Sequence, residues 1–368
     1  MKDIYLGLMS GTSMDGVDAV VADFSQSPPS ILAHHQQAIP AKLLKQLHGL
    51  CSPAANELVN MAEASVEVAE LFAQAANAAL KLAQLSPSQV RAIGSHGQTI
   101  RHFPELGFSL QIGSPSHIAV ATQIDVIADF RNKDMALGGQ GAPLVPAFHQ
   151  AMFSHASEAR FILNIGGIAN ITRLIPQQAL LGYDTGPGNT LLDQFYQRHH
   201  PEGLSYDDKG SWGRSGQCLP ELLTQLLNDD YFKLEPPKST GREYFNLSWL
   251  DQYLQQPRFS LAQAADIQCT LHHLTAQSIA QQLQQQRSGT LYLCGGGDNN
   301  EFLLELLTEA LPQLRLSRSS ELGIAEQALE ALAFAWLARC FIEQQPGNAP
   351  SVTGATRPAI LGGCYPAN

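Results

Sequence analysis

Asp184 stands where an apolar run meets a turn of conformationally special residues, Gly182-Tyr183-Asp184-Thr185-Gly186-Pro187-Gly188-Asn189. Residues 179–182 read as a strand leaving a core, and residues 190–196 as a helix beginning. Asp184 then faces the turn from a strand end. Gly186 and Gly188 permit positive φ, whereas Pro187 fixes φ and lacks an N–H, so the backbone there can approach a ligand closely. Unencumbered N–H groups at a helix start attract anions, and a carboxylate beside bound phosphate can act as a general base. Asp184 as a plain helix cap explains the same pattern. Both readings are open at this stage.

Other chemistry-bearing residues also fall at strand ends. Strands over 4–9 and 17–24 flank Ser10-Gly11-Thr12-Ser13-Met14-Asp15-Gly16. Strand, small polar loop, strand makes a hairpin, unlike the P-loop or the dinucleotide fingerprint, where a helix follows the glycines. Its N–H groups and hydroxyls suit a phosphate; Gly, Ser and Asp also populate turns for local reasons, but a loop seven residues long favours a ligand. The same arrangement recurs around Gly166 and Gly167, between strands over 161–165 and 168–175, which suggests an internal duplication. His96 and Gln98 follow a strand over 90–94 and suit hydrogen bonds to a sugar or acid, although a lone histidine is more often structural. Arg131 follows a strand over 125–128, and its planar fork matches a carboxylate. Gly295, Gly296 and Gly297 join a buried strand over 290–294 to a helix over 301–311, where a flat ligand can lie on backbone. Glu330, in a strongly apolar helix over 323–342, needs a partner or a cleft. Lys238 and Arg242, in a polar segment over 236–243, either approach phosphates or are solvated surface.

The elements that must position these residues need a large scaffold. At 368 residues the chain is long for one core, and two domains are expected. The Gly-rich stretch 138–143 marks the candidate junction, dividing 1–134 plus 343–368, with the first hairpin, from 135–342, with the second hairpin, the acid and the triple glycine. Residues 54–85 carry apolar positions at helical spacing and read as a long, kinked or broken helix. Residues 358–366 read as a last strand that returns to the first domain's sheet. The net charge of −11 argues against non-specific nucleic-acid or anionic-membrane binding. The six cysteines are scattered without a Cys-x-x-Cys pair and suit small core residues in a reducing compartment. Neither a membrane-length apolar run nor a signal-peptide core is visible, so a soluble cytoplasmic protein is expected. Six of the twelve histidines form three adjacent pairs, and no His-Glu-x-x-His occurs, which disfavours a protein-built zinc site.

Two Gly-rich hairpins, one acid at a strand end and a late strand–glycines–helix resemble the order of elements in the actin, Hsp70 and sugar-kinase superfamily. Within it, residues 9–18, 94–99, 164–170 and 184–189, together with Gly295-Gly296-Gly297 and the helix around Glu330, resemble the anhydro-N-acetylmuramic acid kinase family over almost the whole chain. The resemblance implies an α/β, two-domain actin/Hsp70/hexokinase-like fold, a duplicated ribonuclease H-like arrangement with a central cleft. It implies a cytoplasmic, homodimeric enzyme using ATP and Mg2+, with anhydro-N-acetylmuramic acid as partner and neither nucleic acid nor membrane. Asp184 would be the base and Glu330 its support. Gly11, Thr12, Ser13, Met14, Asp15, Gly16, Val17 and Asp18 would cradle phosphate, with Gly166, Gly167, Gly186 and Gly188 opposite and Gly295 to Gly297 at adenine. His96, Gln98, Arg131 and Asn170 would face the sugar. Many superfamily members carry an Asp before the first Gly-Thr; here Ser10 precedes Gly11, and Asp18 is assigned to magnesium.

Overall fold

A computed structural model describes residues 3–11, 14–324 and 326–368. Thr12 and Ser13 of the first hairpin lie outside the described residues. The chain divides into two compact units, Met1–Phe153 with Gly323–Asn368, and Ser154–Leu322.

In the first unit, β1 (Ile4–Met9), β2 (Val17–Asp23) and β3 (Ser30–Gln37) form an antiparallel meander. β4 (Ile93–Ser95) runs parallel to β1; β5 (Gln98–Phe103) and β6 (Phe108–Ile112) make a separate ribbon; β7 (Val126–Ala128) runs parallel to β4. In the second unit, β8 (Arg160–Ile165), β9 (Ile168–Leu174) and β10 (Leu181–Pro187) again form an antiparallel meander. β11 (Thr290–Cys294) lies parallel to β8, and β12 (Arg315–Arg318) parallel to β11. The last strand, β13 (Gly363–Tyr365), pairs antiparallel with β7, so the C-terminal segment returns to the first sheet as expected.

The sheet orders are β13-β7-β4-β1-β2-β3 and β10-β9-β8-β11-β12. With β13 set aside, both read third, second, first, fourth, fifth, with the first three antiparallel and the last two parallel to the first. The duplication expected from two hairpins is therefore a repeated topology.

Near-continuous apolar runs such as Ile4-Tyr5-Leu6 fit strands covered on both faces. Leu6, Leu8, Val17, Ala19 and Val21 share one core with Phe72 and Ala76 of the helix Glu57–Ala83. That helix runs unbroken for 27 residues, contrary to the expected kink. It contains no proline or glycine, and its small alanines let it lie close to the strands without bending. The opposite face is covered by the helix Leu329–Ile342, which packs on β1, β2 and β4. Its backbone touches the sheet directly: a Cβ on Gly7 would sit 1.8 Å from the Ala331 carbonyl oxygen, and one on Gly94 1.9 Å from that of Phe334.

This packing moves the boundaries of the units. The expected divisions at 134/135 and 342/343 give way to 153/154 and 322/323, because the helix Leu329–Ile342 belongs to the first sheet. The glycines at 138–141 are not a linker either. Asp134, fully buried, accepts from Gly141 N–H (2.9 Å), Asn348 Nδ2 (2.7 Å) and Thr353 Oγ1 (2.8 Å). The stretch is thus tied to the C-terminal part of its own unit. Among the described residues no helix is long and apolar enough to cross a membrane.

Candidate functional site

In the second unit, strand register builds a polar row. β11–β8 pairing puts Cys294 opposite Asn164, β8–β9 puts Asn164 opposite Asn170, and β9–β10 puts Asn170 opposite Asp184. Residues paired across a sheet point to the same face, so Asn164, Asn170 and Asp184 stand side by side, the first two near the β8–β9 turn and Asp184 in the middle of β10, which continues through Pro187 where a turn was expected. Sequence reasoning placed Asn170 at the sugar and gave Asn164 no role. The alternation of Asn164 and Asn170 with apolar neighbours was the available signal.

Immediately after Asp184 a bulge inserts Thr185, whose Oγ1 donates to the Ala169 carbonyl (3.2 Å). A bulge bends its strand and re-aims the adjacent side chain. Gly186 follows at φ +148°, where a Cβ would meet the Phe232 ring at 2.7 Å. The segment 236–243 then closes on the acid. Asp184 N–H donates to the Lys238 carbonyl (3.1 Å), Thr240 N–H donates to Asp184 Oδ2 (3.0 Å), and Tyr231 Oη donates to the Asp184 carbonyl (2.7 Å).

One carboxylate oxygen is thus pinned by a backbone amide. Burial raises the Asp184 carboxyl from the ordinary 3.8 to about 6, the Thr240 N–H pulls it down, and the nearby Glu243 charge pushes it up. A carboxylate of that basicity, oriented through one oxygen, is suited to accept a proton near neutral pH. The cap reading does not survive: the helix Thr190–His199 is preceded by Asn189 as its N-cap, and no Asp184 oxygen accepts from that helix among the described residues.

The helix start is not the anion site its sequence suggested. Gly188 N–H and Thr190 N–H donate to the Gly167 carbonyl (2.9 and 3.0 Å), and Asn189 N–H to the Gly166 carbonyl (2.8 Å). The second hairpin therefore seals these donors. Gly188 is needed for that contact, since a Cβ would lie 2.4 Å from the Gly166 oxygen. On the neighbouring strand, Gly295 at φ +83° carries the chain over the Asn164 side chain, and Gly297 lies on Ile165. Gly296 faces open space, and Asn300 caps the helix Glu301–Ala310 through Leu303 N–H (3.1 Å).

In the first unit, Ser10 Oγ donates to the Gly16 carbonyl (2.8 Å) and Met14 N–H to the Gly11 carbonyl (3.2 Å), closing the neck of the first hairpin. Met14 and Val17 point into the core, whereas Asp15 is exposed. Gln98, expected at the sugar, is buried with Nε2 donating to the Gly11 carbonyl (3.2 Å), which holds that hairpin from below. Asp18 Oδ1 lies 2.8 Å from His34 Nε2.

His96 N–H donates to the Leu8 carbonyl (3.0 Å), and its ring is buried against Phe334. The Arg131 fork points at it: Nε and Nη2 lie 3.1 and 2.9 Å from His96 Nε2, and Nη1 donates to the Gly141 carbonyl (2.8 Å). These contacts occupy the fork that the sequence offered to a carboxylate. They make Nε2 the acceptor and leave the proton on Nδ1. Burial and the Arg131 charge hold His96 well below the usual histidine range, so the ring is a neutral donor. Burial lowers Arg131 to about 10 against the opposing charges of Glu330 and Asp134. Glu330, half-buried in the first turn of its helix, thus belongs with Arg131 and His96.

No group of three or more His, Cys, Asp or Glu able to hold a metal occurs among the described residues. Magnesium carried with nucleotide phosphates needs only one or two protein carboxylates, and Asp18, half-exposed beside the first hairpin, fits that requirement through its second oxygen.

A duplicated third-second-first-fourth-fifth sheet, with hairpins after both first strands and an acid on the third strand of the second copy, is the ribonuclease H-like architecture of the actin, Hsp70 and sugar-kinase class. Solved structures with a similar outline include the activator of the 2-hydroxyisocaproyl-CoA dehydratase from Clostridium difficile, at 11% identity and TM-score 0.41 over 92% of this chain and 97% of that one. A ROK family glucokinase from Streptomyces griseus matches at 13% identity and TM-score 0.40 over 91% and 99%. The sequence is far more specific: the profile of the anhydro-N-acetylmuramic acid kinase family matches residues 3–367, and the chain belongs to that family. Proteins of that name are similar along their full length, at 52% identity from Shewanella denitrificans, over 99% of both chains, and at 51% from Shewanella oneidensis, over 100% of this chain and 99% of the relative.

Proposed function

We propose that this protein uses ATP and water to open the 1,6-anhydro ring of 1,6-anhydro-N-acetylmuramic acid and phosphorylates O6, giving N-acetylmuramate 6-phosphate and ADP in peptidoglycan recycling. The observation that carries the mechanism is the Asp184 carboxylate, held through Oδ2 by Thr240 N–H and raised to about 6. Asp184 takes a proton from a water that attacks C1. The C1–O6 bond breaks, O6 attacks the γ-phosphorus, and the bond to ADP breaks; the proton remains on Asp184 until solvent takes it. One base thus drives both bond changes.

The remaining residues position the reactants. The first hairpin, Gly11 to Asp18, and the second, Gly166–Gly167, hold phosphates, Gly186 and Gly188 permit the close packing behind the second hairpin, and Gly295 to Gly297 face adenine. Magnesium, held by Asp18 and the nucleotide, would neutralise charge on the phosphoryl oxygens. His96, set as an Nδ1 donor by Arg131 and supported by Glu330, faces the sugar, as does Asn170 beside Asp184. Gln98 holds the first hairpin through Nε2 and has Oε1 left for the sugar. A cytoplasmic homodimer accompanies this reading, supported by the family resemblance.

The test is a reaction with ATP and the anhydrosugar in 18O-water, analysed promptly by mass spectrometry. The reading requires one label at the C1 hydroxyl of a ring-opened 6-phosphate and none in phosphate. Labelled free phosphate with intact anhydrosugar would instead mark a nucleotide hydrolase.

A further inference from the structure

The segment 236–243 that pins Asp184 also brings a cation to the second hairpin. Two residues beyond Thr240, the Arg242 guanidinium lies over Gly167. A Cβ on that glycine would sit 2.8 Å from Nε and 2.9 Å from Nη2, so a side chain there would push the fork off the hairpin. Among the described residues the Arg242 side chain makes no hydrogen bond and no ion pair; only its carbonyl is engaged, by Asn246 Nδ2 at 3.4 Å. Arg198 and Arg214, by contrast, grip Asp251 and Glu305 with both terminal nitrogens.

Three further observations point to an anion at this place. The Gly188, Asn189 and Thr190 amides behind the hairpin already donate to its carbonyls, which leaves the Arg242 fork as the charged donor beside Gly167. Asp193, the acid that feels Arg242, is pushed by burial up to about 7, which makes it a weak counter-ion near neutral pH. The other cation of the segment, Lys238, is buried with Nζ 5.1 Å over the Tyr231 ring and is stowed away from solvent.

We propose that Arg242 binds the terminal phosphates of the nucleotide at the Gly166–Gly167 hairpin and stabilises the charge of the transferring phosphoryl group. This rests on the ATP-dependent reading above. It joins the two ends of the reaction in one segment, since Thr240 sets the base and Arg242 meets the phosphoryl group.

The test compares wild type, Arg242→Ala and Arg242→Lys in the full chain, titrating each with AMP-PNP and with AMP by calorimetry. Arg242→Ala should lose on the order of ten- to a hundred-fold in AMP-PNP affinity, the worth of a charge-assisted fork, with AMP affinity and melting temperature unchanged. Lysine should recover part of the loss as a point charge without the fork. Unchanged AMP-PNP affinity would overturn the proposal, as would an equal loss for AMP accompanied by a lower melting temperature. Wild-type binding of AMP-PNP without turnover of the anhydrosugar would count against the reaction and leave this site standing.

Discussion

Asp184→Asn should make the protein more stable and nearly inactive. The carboxyl rises from 3.8 to about 6 on folding, a shift of roughly two units, or about 3 kcal/mol at most, as the penalty for keeping it ionised. Asparagine removes that penalty and keeps an oxygen for Thr240 N–H. The sign follows from proton binding: the folded state holds this proton more tightly than the unfolded chain. Wild-type stability therefore falls as pH rises from the ordinary carboxylate range through about 6 and then levels. The variant lacks this titration, so its advantage should be small near pH 4 and complete by pH 8. Turnover should drop by roughly 10² to 10⁴, the usual worth of a placed base. Thermal melting across that pH range and product formation at pH 8 measure both effects. Wild-type turnover in the variant would remove Asp184 from the chemistry, and a melting temperature below wild type at pH 8 would refute the burial argument.

Three other outcomes follow from the geometry. Glu243→Gln removes a charge that raises Asp184, so the acid limb of kcat/KM should move to lower pH with the alkaline plateau retained; an unmoved limb would assign it to another group. Gln98→Met deletes the donor to the Gly11 carbonyl and should raise the KM for ATP more than that for the anhydrosugar, whereas the reverse order would make the sugar its main partner. Gly7→Ala drives a methyl group into the Ala331 carbonyl and should destabilise the first unit by about 3 kcal/mol or more, read by melting.

The sequence showed what depends on local pattern. Both hairpins and the returning C-terminal strand are apolar runs bounded by glycine and occur in the expected order, but the strand carrying Asp184 runs on through Gly186 and Pro187, where a turn was expected, because those residues still pair with β9. It misled where glycine serves packing. Gly138 to Gly141 resemble a linker in sequence, but Gly139 leaves room for the Asp134 carboxylate, 2.3 Å from where a Cβ would be. Residues 236–243 could be read as phosphate-binding or as surface because their order comes from distant backbone: nothing local states that Thr240 N–H will meet Asp184. The same reason hid the sealing of the 188–190 amides by the hairpin carbonyls, a contact between residues more than twenty positions apart.

The bare contact between the helix Leu329–Ile342 and the sheet bears on how such an enzyme can change over generations. A helix seated by side chains slides or tilts when those side chains are exchanged. This one meets the sheet at Gly7 and Gly94 through its own carbonyls, so its height above the strands is set by main chain. Leu332, Trp336 and Leu337 can drift among apolar alternatives while Glu330 stays in place relative to Arg131 and His96. Lineages that retune the ligand pocket are then expected to vary its loops and to leave the two glycines untouched.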